Sequence, residues 1–483
     1  MPLNQLFVLI FIQLLIILLP AAGMYKMFEK AGIAGWKALV PFYNTWIIFS
    51  LIKHPRYLFF LQFIPIAGWF VTMTIFVEFV KTFGKFKLYE HAMAALMPVI
   101  YFIYLGFGKK EKYLGVAVVR DHKKSTAREW IDAGVFAVVA ATLIRAFVFE
   151  AYAIPSASME KTLLVKDYLF VSKFSYGVRV PNTPLALPFI HNSIPFTNNK
   201  SYAEWIKIPY TRWFEKPVKR NDVVVFNMPE GDTVINKEGY GTKILYYDVI
   251  RKAGNGNPDA GRKIILDDPD EYPIAVHPVD KEDNYIKRCI AVGGDTLLIK
   301  DQIVYVNGVA APLPPQSEFF YYVETNGQPL DETVMKEDYA VDINNAEQFQ
   351  TTEKKNVYYM LLTNDAREKM MKNAVAKTII PEIIKDESIE KVFPFDDVHH
   401  WTIDEFGPLW IPKKGSTLTL TPENYAIYER IIRTYEGNKL ERNGNTFYIN
   451  GQKNNQYTFR MNYYWMMGDN RHDSQDSRIW GFV

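Results

Sequence analysis

The chain has 483 residues, enough for more than one domain, and a net charge of +2, which leaves no basic footprint for nucleic acid. Cys289 is the only cysteine, so an internal disulfide is excluded. The eight histidines are adjacent only at His399-His400, a spacing that does not make a metal site, and no metal is expected.

Leu6 to Leu19 is a nearly unbroken apolar run. It has neither a basic leading region nor a cleavage site, and reads as a retained membrane helix rather than a signal peptide. Met24 to Pro55 carries Lys26, Lys30, Lys37 and Lys53 among apolar residues and reads as an interfacial stretch, with 39–52 able to make an additional crossing. Tyr57 to Val80, kinked at Pro65, and Ala92 to Phe107, containing Pro98, are the second and third span candidates. Gly108 to Trp130 holds Lys109, Lys110, Lys112, Arg120, Lys123, Lys124 and Arg128, and a short basic juxtamembrane loop belongs on the cytoplasmic side. A fourth span from about Ala133 to Tyr152, with Arg145 near its outer end, then carries the chain outward. Four spans put the N-terminus outside; a fifth at 39–52 would put it inside. The expected divisions are a multi-span membrane region at 1–108, a cytoplasmic loop at 109–131 and an anchor helix at 132–152.

Beyond the anchor the pattern changes to short strands rich in β-branched and aromatic residues: Tyr168 to Ser172, Asp222 to Phe226, Tyr285 to Ile290, Thr296 to Lys300 and Ile303 to Val306. Asn307-Gly308 and Asn450-Gly451 are two-residue hairpin signals. A polar insertion at 230–284 interrupts this β domain, whose first part spans 153–310. Its Gly254-Asn255-Gly256-Asn257-Pro258 stretch lacks the spacing of a nucleotide loop. A larger mixed α/β segment, 311–442, with helices expected near Asp365–Ala374 and Pro422–Tyr435, reads as an accessory lobe. The β domain resumes over 443–483.

Three stretches hold residues able to do chemistry. Ile154-Pro155-Ser156-Ala157-Ser158-Met159-Glu160 leaves the anchor behind a proline that forbids helical continuation. Taken alone it reads as a Ser-rich exit turn, because a serine hydroxyl needs a base before it can attack. Tyr285-Ile286-Lys287-Arg288-Cys289-Ile290 puts Lys287 on one strand face with Tyr285 and Cys289. Taken alone Lys287 reads as a snorkelling lysine, although desolvation would lower its pKa toward that of a base. Gly468-Asp469-Asn470-Arg471-His472-Asp473-Ser474-Gln475-Asp476-Ser477-Arg478 reads as a structural loop.

In this order the three stretches resemble the type I signal peptidases, with Arg145, Phe147, Glu150 and Ile154 fitting that family's membrane exit. The resemblance implies a mainly β extracytoplasmic catalytic domain behind a membrane anchor, in the inner (cytoplasmic) membrane of a bacterium. It implies a Ser–Lys dyad of Ser158 and Lys287, an oxyanion hole from Ser156 and the Ser158 N–H, and Ser474 orienting the lysine. Asp469, Asp476 and Arg478 are implied supports of the site. No cofactor is implied; the implied partners are preprotein signal peptides, the bilayer and the protein export machinery. Asn221, Ala291-Val292-Gly293 and His472 depart from the family pattern, and the chain stops at Trp480-Gly481-Phe482-Val483, where the family continues, so a terminal strand is expected to be missing. Two rivals remain at this stage. Ser158-Met159-Glu160-Lys161 matches the S-x-x-K of penicillin-binding proteins, without their K-T-G, and a membrane scaffold with an outer β domain needs no catalysis.

Overall fold

The computed structural model describes the chain except residues 1–2, 65–66, 196–198, 230–232, 238–239, 241–243, 256–257 and 387–391. Two compact units emerge. The first comprises Met1–Phe149, Gly177–Ile190 and Ser201–Glu215; the second comprises Glu150–Tyr176, His191–Lys200 and Lys216–Val483.

The first unit is mainly helical. Its core gathers Met24, Phe28, Phe76, Phe79, Phe102 and Leu105, with Phe76 and Phe102 packed edge to face at 5.1 Å. Helices Ala21–Lys30 and Pro98–Phe107 touch backbone to backbone, because a side chain on Gly23 or Gly106 would overlap the opposing main chain. Helix Thr126–Phe147 is capped at Ser125, whose hydroxyl accepts from Arg128 N, and buries none of its side chains. At 1.5 Å per residue it is roughly 33 Å long, enough to cross a bilayer.

The expected spans fare unevenly. Among the described residues only Thr126–Phe147 is long and apolar enough to cross alone, or up to three spans exist if each bent pair counts as one. The pairs are Ile10–Leu18 with Ala21–Lys30, bent by 47°, and Leu88–Leu96 with Pro98–Phe107, bent by 114°. Proline at the first position of Pro98–Phe107 lacks the N–H needed to continue the preceding helix, so Ala92 to Phe107 is not one straight span. Tyr57 to Val80 likewise divides, into a 3₁₀ stretch Arg56–Phe63 and the helix Ala67–Lys81. The expected kink at Pro65 lies outside the described residues. The anchor is displaced seven residues toward the N-terminus of its expected start, because its first two turns are polar. Phe149–Ala153, all but its last residue expected within the anchor, is a strand.

In the second unit an antiparallel sheet places Asn284–Val292 between Tyr464–Met467 and Val223–Asn227. A second sheet runs Val309–Ala310, Ile303–Val306, Thr296–Lys300 and Phe406–Trp410. Asn307 and Gly308, and again Asn450 and Gly451, adopt the positive φ of a two-residue hairpin, as their sequence signals require. Trp465, Phe406, Leu409, Phe459 and Phe482 form the large core beneath these sheets.

The segment expected as one accessory lobe divides between two cores. A four-stranded sheet, ordered Phe349–Thr351, Val357–Thr363, Glu318–Thr325, Ala376–Pro381, closes its own core around Val323, Met360, Leu362 and Met370. Ile403, Phe406, Leu409, Ile427 and Ile432 join the larger core instead. Both helices expected here form, as Asn364–Lys372 and as Tyr425–Arg430 continued to Tyr435. In the 230–284 insertion, helices Tyr246–Ala253 and Pro258–Asp267 form where the sequence reads only as polar, and Gly256 and Asn257 lie outside the described residues.

Candidate active site

Pro155 and the extended backbone of Ser156 lead into a single 3₁₀ turn, Ala157–Met159. Ser158 sits in that turn at 8% exposure. Lys287 lies in the central strand of the three-stranded sheet, paired with Val224, and is 3% exposed. Lys287 Nζ stands 2.5 Å from Ser158 Oγ, though the two residues are 129 positions apart. Lys161, the amine of the S-x-x-K alternative, is not the group that meets this hydroxyl. Burial pushes the Lys287 amine down to about 8; Asp476, Asp473 and Asp469 oppose that shift and Arg478 adds to it. A lysine in that range is a substantially neutral, basic amine at mildly alkaline pH.

Ser156 Oγ is 3.4 Å from Ser158 Oγ. The two hydroxyls are therefore within hydrogen-bond reach of each other.

One carboxylate ties the three sequence stretches together. Asp469 accepts from Arg288 Nε at 2.8 Å and Nη2 at 2.6 Å, and from Thr162 Oγ1 at 2.6 Å. Arg288 is the neighbour of Lys287, and Thr162 lies just beyond the Ser158 turn. Asn470 N donates to the Ser158 carbonyl at 3.2 Å. Burial works to raise the Asp469 carboxyl, but Arg288 and Thr162 outweigh it and hold it below the usual range. Asp476 likewise accepts from Gly468 N at 3.0 Å and from Arg478 Nε at 3.0 Å and Nη2 at 2.9 Å. Arg478 Nη2 also donates to Arg471 O at 2.6 Å, which closes the loop upon itself. A bidentate buried pair of this kind fixes geometry more than it adds stability.

Ser474 differs from the implied arrangement. Its side chain packs over Gly468, and among the described residues its Oγ has no hydrogen-bond partner, so the implied contact with Lys287 is not formed. Lys287 Nζ is committed to Ser158 instead. Among the described residues no group of three or more His, Cys, Asp or Glu side chains is placed to hold a metal ion.

Two residues at the site had no role assigned from the sequence. Gly468 is the first: a methyl group there would overlap both Ser474 Oγ and the Ser158 carbonyl oxygen. Gly468→Ala is expected to cost about 1–3 kcal/mol, as other overpacked positions do, and thermal unfolding measures it. The second is Glu318, 1% exposed at the start of the inserted sheet. Burial pushes its carboxyl up to about 7, with Lys161 opposing and Glu160 and Asp473 reinforcing. The folded protein thus holds this proton more tightly than the unfolded chain does. The stability this gives is fully present below about 4.5 and is lost as pH rises through about 7. Glu318→Gln, permanently neutral, is expected to melt like wild type at pH 4 and to be more stable at pH 8 by up to about 3 kcal/mol. Equal melting of the two proteins at pH 8 would contradict this.

Comparison with known proteins follows the same residues. The family model described as "Signal peptidase, peptidase S26" matches residues 127–369 and 411–483, more than half of the chain. A family of unknown function (DUF5684) matches residues 36–116. The signal peptidase I of Rickettsia canadensis (strain McKiel) is 25% identical over 185 residues, covering 38% of this chain and 44% of the relative. That of Buchnera aphidicola subsp. Schizaphis graminum is 39% identical over 112 residues, covering 23% of this chain and 28% of the relative. That of Rickettsia bellii (strain OSU 85-389) is 28% identical over 110 residues, covering 23% and 32%. The chain spans less than half the length of the curated relatives it matches.

Proposed function

Since the chain belongs to the signal peptidase family, peptidase S26, we propose that it is a membrane-bound serine endopeptidase that removes N-terminal signal peptides from exported preproteins. The buried 2.5 Å approach of Lys287 Nζ to Ser158 Oγ carries this reading. Neutral Lys287 takes the Ser158 proton as Oγ attacks the scissile carbonyl, then returns it to the leaving amine. The Ser156 hydroxyl and the Ser158 N–H donate to the developing oxyanion. Water then attacks the acyl-enzyme, with Lys287 again as base, and frees Ser158. Asp469, Asp476 and Arg478 hold the loop against which this exchange takes place.

Incubation of the detergent-solubilised protein with a preprotein tests the activity. The expected product begins at the mature N-terminus, and an uncut preprotein would defeat the reading. The same reading places Thr126–Phe147 across a bacterial cytoplasmic membrane. The basic 108–125 segment is then cytoplasmic, the β-rich unit is extracytoplasmic, and the N-terminal helices sit in the same bilayer as a multi-pass region. Signal peptides, lipids and the export machinery are its partners. Membrane-impermeant thiol labelling is expected to reach a cysteine placed at Lys200 and to miss one at Lys112. The opposite pattern would reverse the orientation.

A further inference from the structure

The inserted segment meets the active-site loop at a buried histidine. His472 follows Arg471 in the 468–478 loop, and its side chain is 3% exposed. Its Nδ1 accepts from Phe320 N at 3.2 Å, and its Nε2 lies 3.2 Å from both carboxylate oxygens of Asp404. An imidazole nitrogen that accepts an N–H cannot also carry a hydrogen, so the neutral ring holds its hydrogen on Nε2 and donates it to Asp404. Asp404 is itself 1% exposed and accepts from Ile384 N at 2.9 Å. Gln302 Nε2 donates to Asp404 Oδ2 at 3.4 Å and lies beside the His472 Nε2–H at 3.3 Å, so both donors face the same carboxylate. The Phe320 ring stacks on the imidazole at 5.9 Å with 9° between planes. Backbone bonds brace the same junction: Glu318 N donates to Asp469 O at 2.9 Å, and Arg471 N to Glu318 O at 3.0 Å.

The clamped loop is the one that surrounds the dyad. It supplies the Asn470 N–H on the Ser158 carbonyl and the Asp469 carboxylate on Arg288. The charged groups that act on Lys287 are Asp476, Arg478, Asp473 and Asp469, all on this loop. A displacement of the loop therefore changes both the distance and the charge at the general base.

Resting on the peptidase reading, we propose that Asp404 and His472 are positioning residues, and that the inserted segment serves to lock the 468–478 loop around the Ser158–Lys287 pair. Among the described residues neither hydrogen-bonds Ser158 or Lys287. They act through the loop.

Full-length, detergent-solubilised protein and a signal-peptide-bearing preprotein test this, with kcat, KM, the acid limb of kcat/KM and thermal unfolding measured together. His472→Asn keeps an acceptor for Phe320 N–H but falls short of Asp404, whereas His472→Gln restores a donor near the Nε2 position. Asp404→Asn keeps the shape and loses the charge. His472→Asn and Asp404→Asn are expected to lower kcat about ten- to a hundred-fold, with KM within about two-fold of wild type, as misplacement of a catalytic pair does. Their acid limb is expected to move, because the charges facing Lys287 move. His472→Gln is expected to recover most of the loss. Folded variants with wild-type kcat and an unmoved acid limb would overturn the proposal. So would a loss of activity that tracks only the folded fraction. An inert wild type would overturn the peptidase reading and this proposal with it, whereas an active wild type beside unaffected variants overturns the clamp alone.

Discussion

Ser158→Ala is expected to abolish preprotein cleavage while the protein still folds. Removal of a serine nucleophile costs on the order of six powers of ten in kcat where it has been measured. The substitution deletes one hydroxyl whose neighbours are Lys287 Nζ and Ser156 Oγ. The cost to the fold is that of a lost buried partner, about 1–3 kcal/mol. Ser156→Ala makes the contrast. It removes the hydroxyl proposed as an oxyanion donor and is expected to leave partial activity, with kcat lowered about 10²–10³-fold. Cleavage by Ser158→Ala together with an inert Ser156→Ala would mean that the serine roles are reversed.

Lys287→Arg is the second large effect. The guanidinium keeps charge and length but stays protonated, so it cannot accept the Ser158 proton. Cleavage is expected to fall to the level of Ser158→Ala, while binding of the signal peptide is retained. Lys287→Met separates this loss from misfolding. Burial pushes the amine from its ordinary 10.5 down to about 8. Below about 8 the folded protein must hold a cation that burial disfavours, and the penalty fades as pH rises toward 10.5. An apolar side chain of similar length removes it. Lys287→Met is therefore expected to be inactive yet more stable at pH 7, by about 1–3 kcal/mol. Thermal unfolding at pH 7 checks this, and a lower Tm would mean that the amine contributes to the fold through its hydrogen bond.

The pairing of Ser158 with Lys287 was not legible from local chemistry: taken alone the two stretches read as an exit turn and a snorkelling lysine, and only the three stretches in order, through their resemblance to the type I signal peptidases, join them. The hairpins at Asn307-Gly308 and Asn450-Gly451 were legible locally, because few other residue pairs take two successive positive φ values. The anchor boundary was not. Hydropathy sees the apolar turns but not the polar first turns, whose capping by Ser125 starts the helix at Thr126. Contacts formed only by the fold were beyond reading. Asp404 and His472 are 68 positions apart, and nothing in the local sequence of Asp404 distinguishes it from a surface acid. Arg288 pointed the other way: alternation sets it on the face opposite Lys287, and only the three-dimensional arrangement shows its side chain joining Asp469 to the lysine strand. The division of 311–442 between two cores is of this kind too, since Phe406–Trp410 pairs with Thr296–Lys300 across about a hundred residues.

The most direct test of the Ser–Lys pair is kcat/KM for preprotein cleavage as a function of pH. Ionisation of a single base with the lowered pKa of Lys287 makes the rate rise about ten-fold per pH unit on the acid side and level off near pH 8. Lys287→Arg measured beside it should show no cleavage at any pH. A profile flat from pH 5 to about 9, or substantial cleavage by Lys287→Arg, would contradict the assignment of Lys287 as the base that activates Ser158.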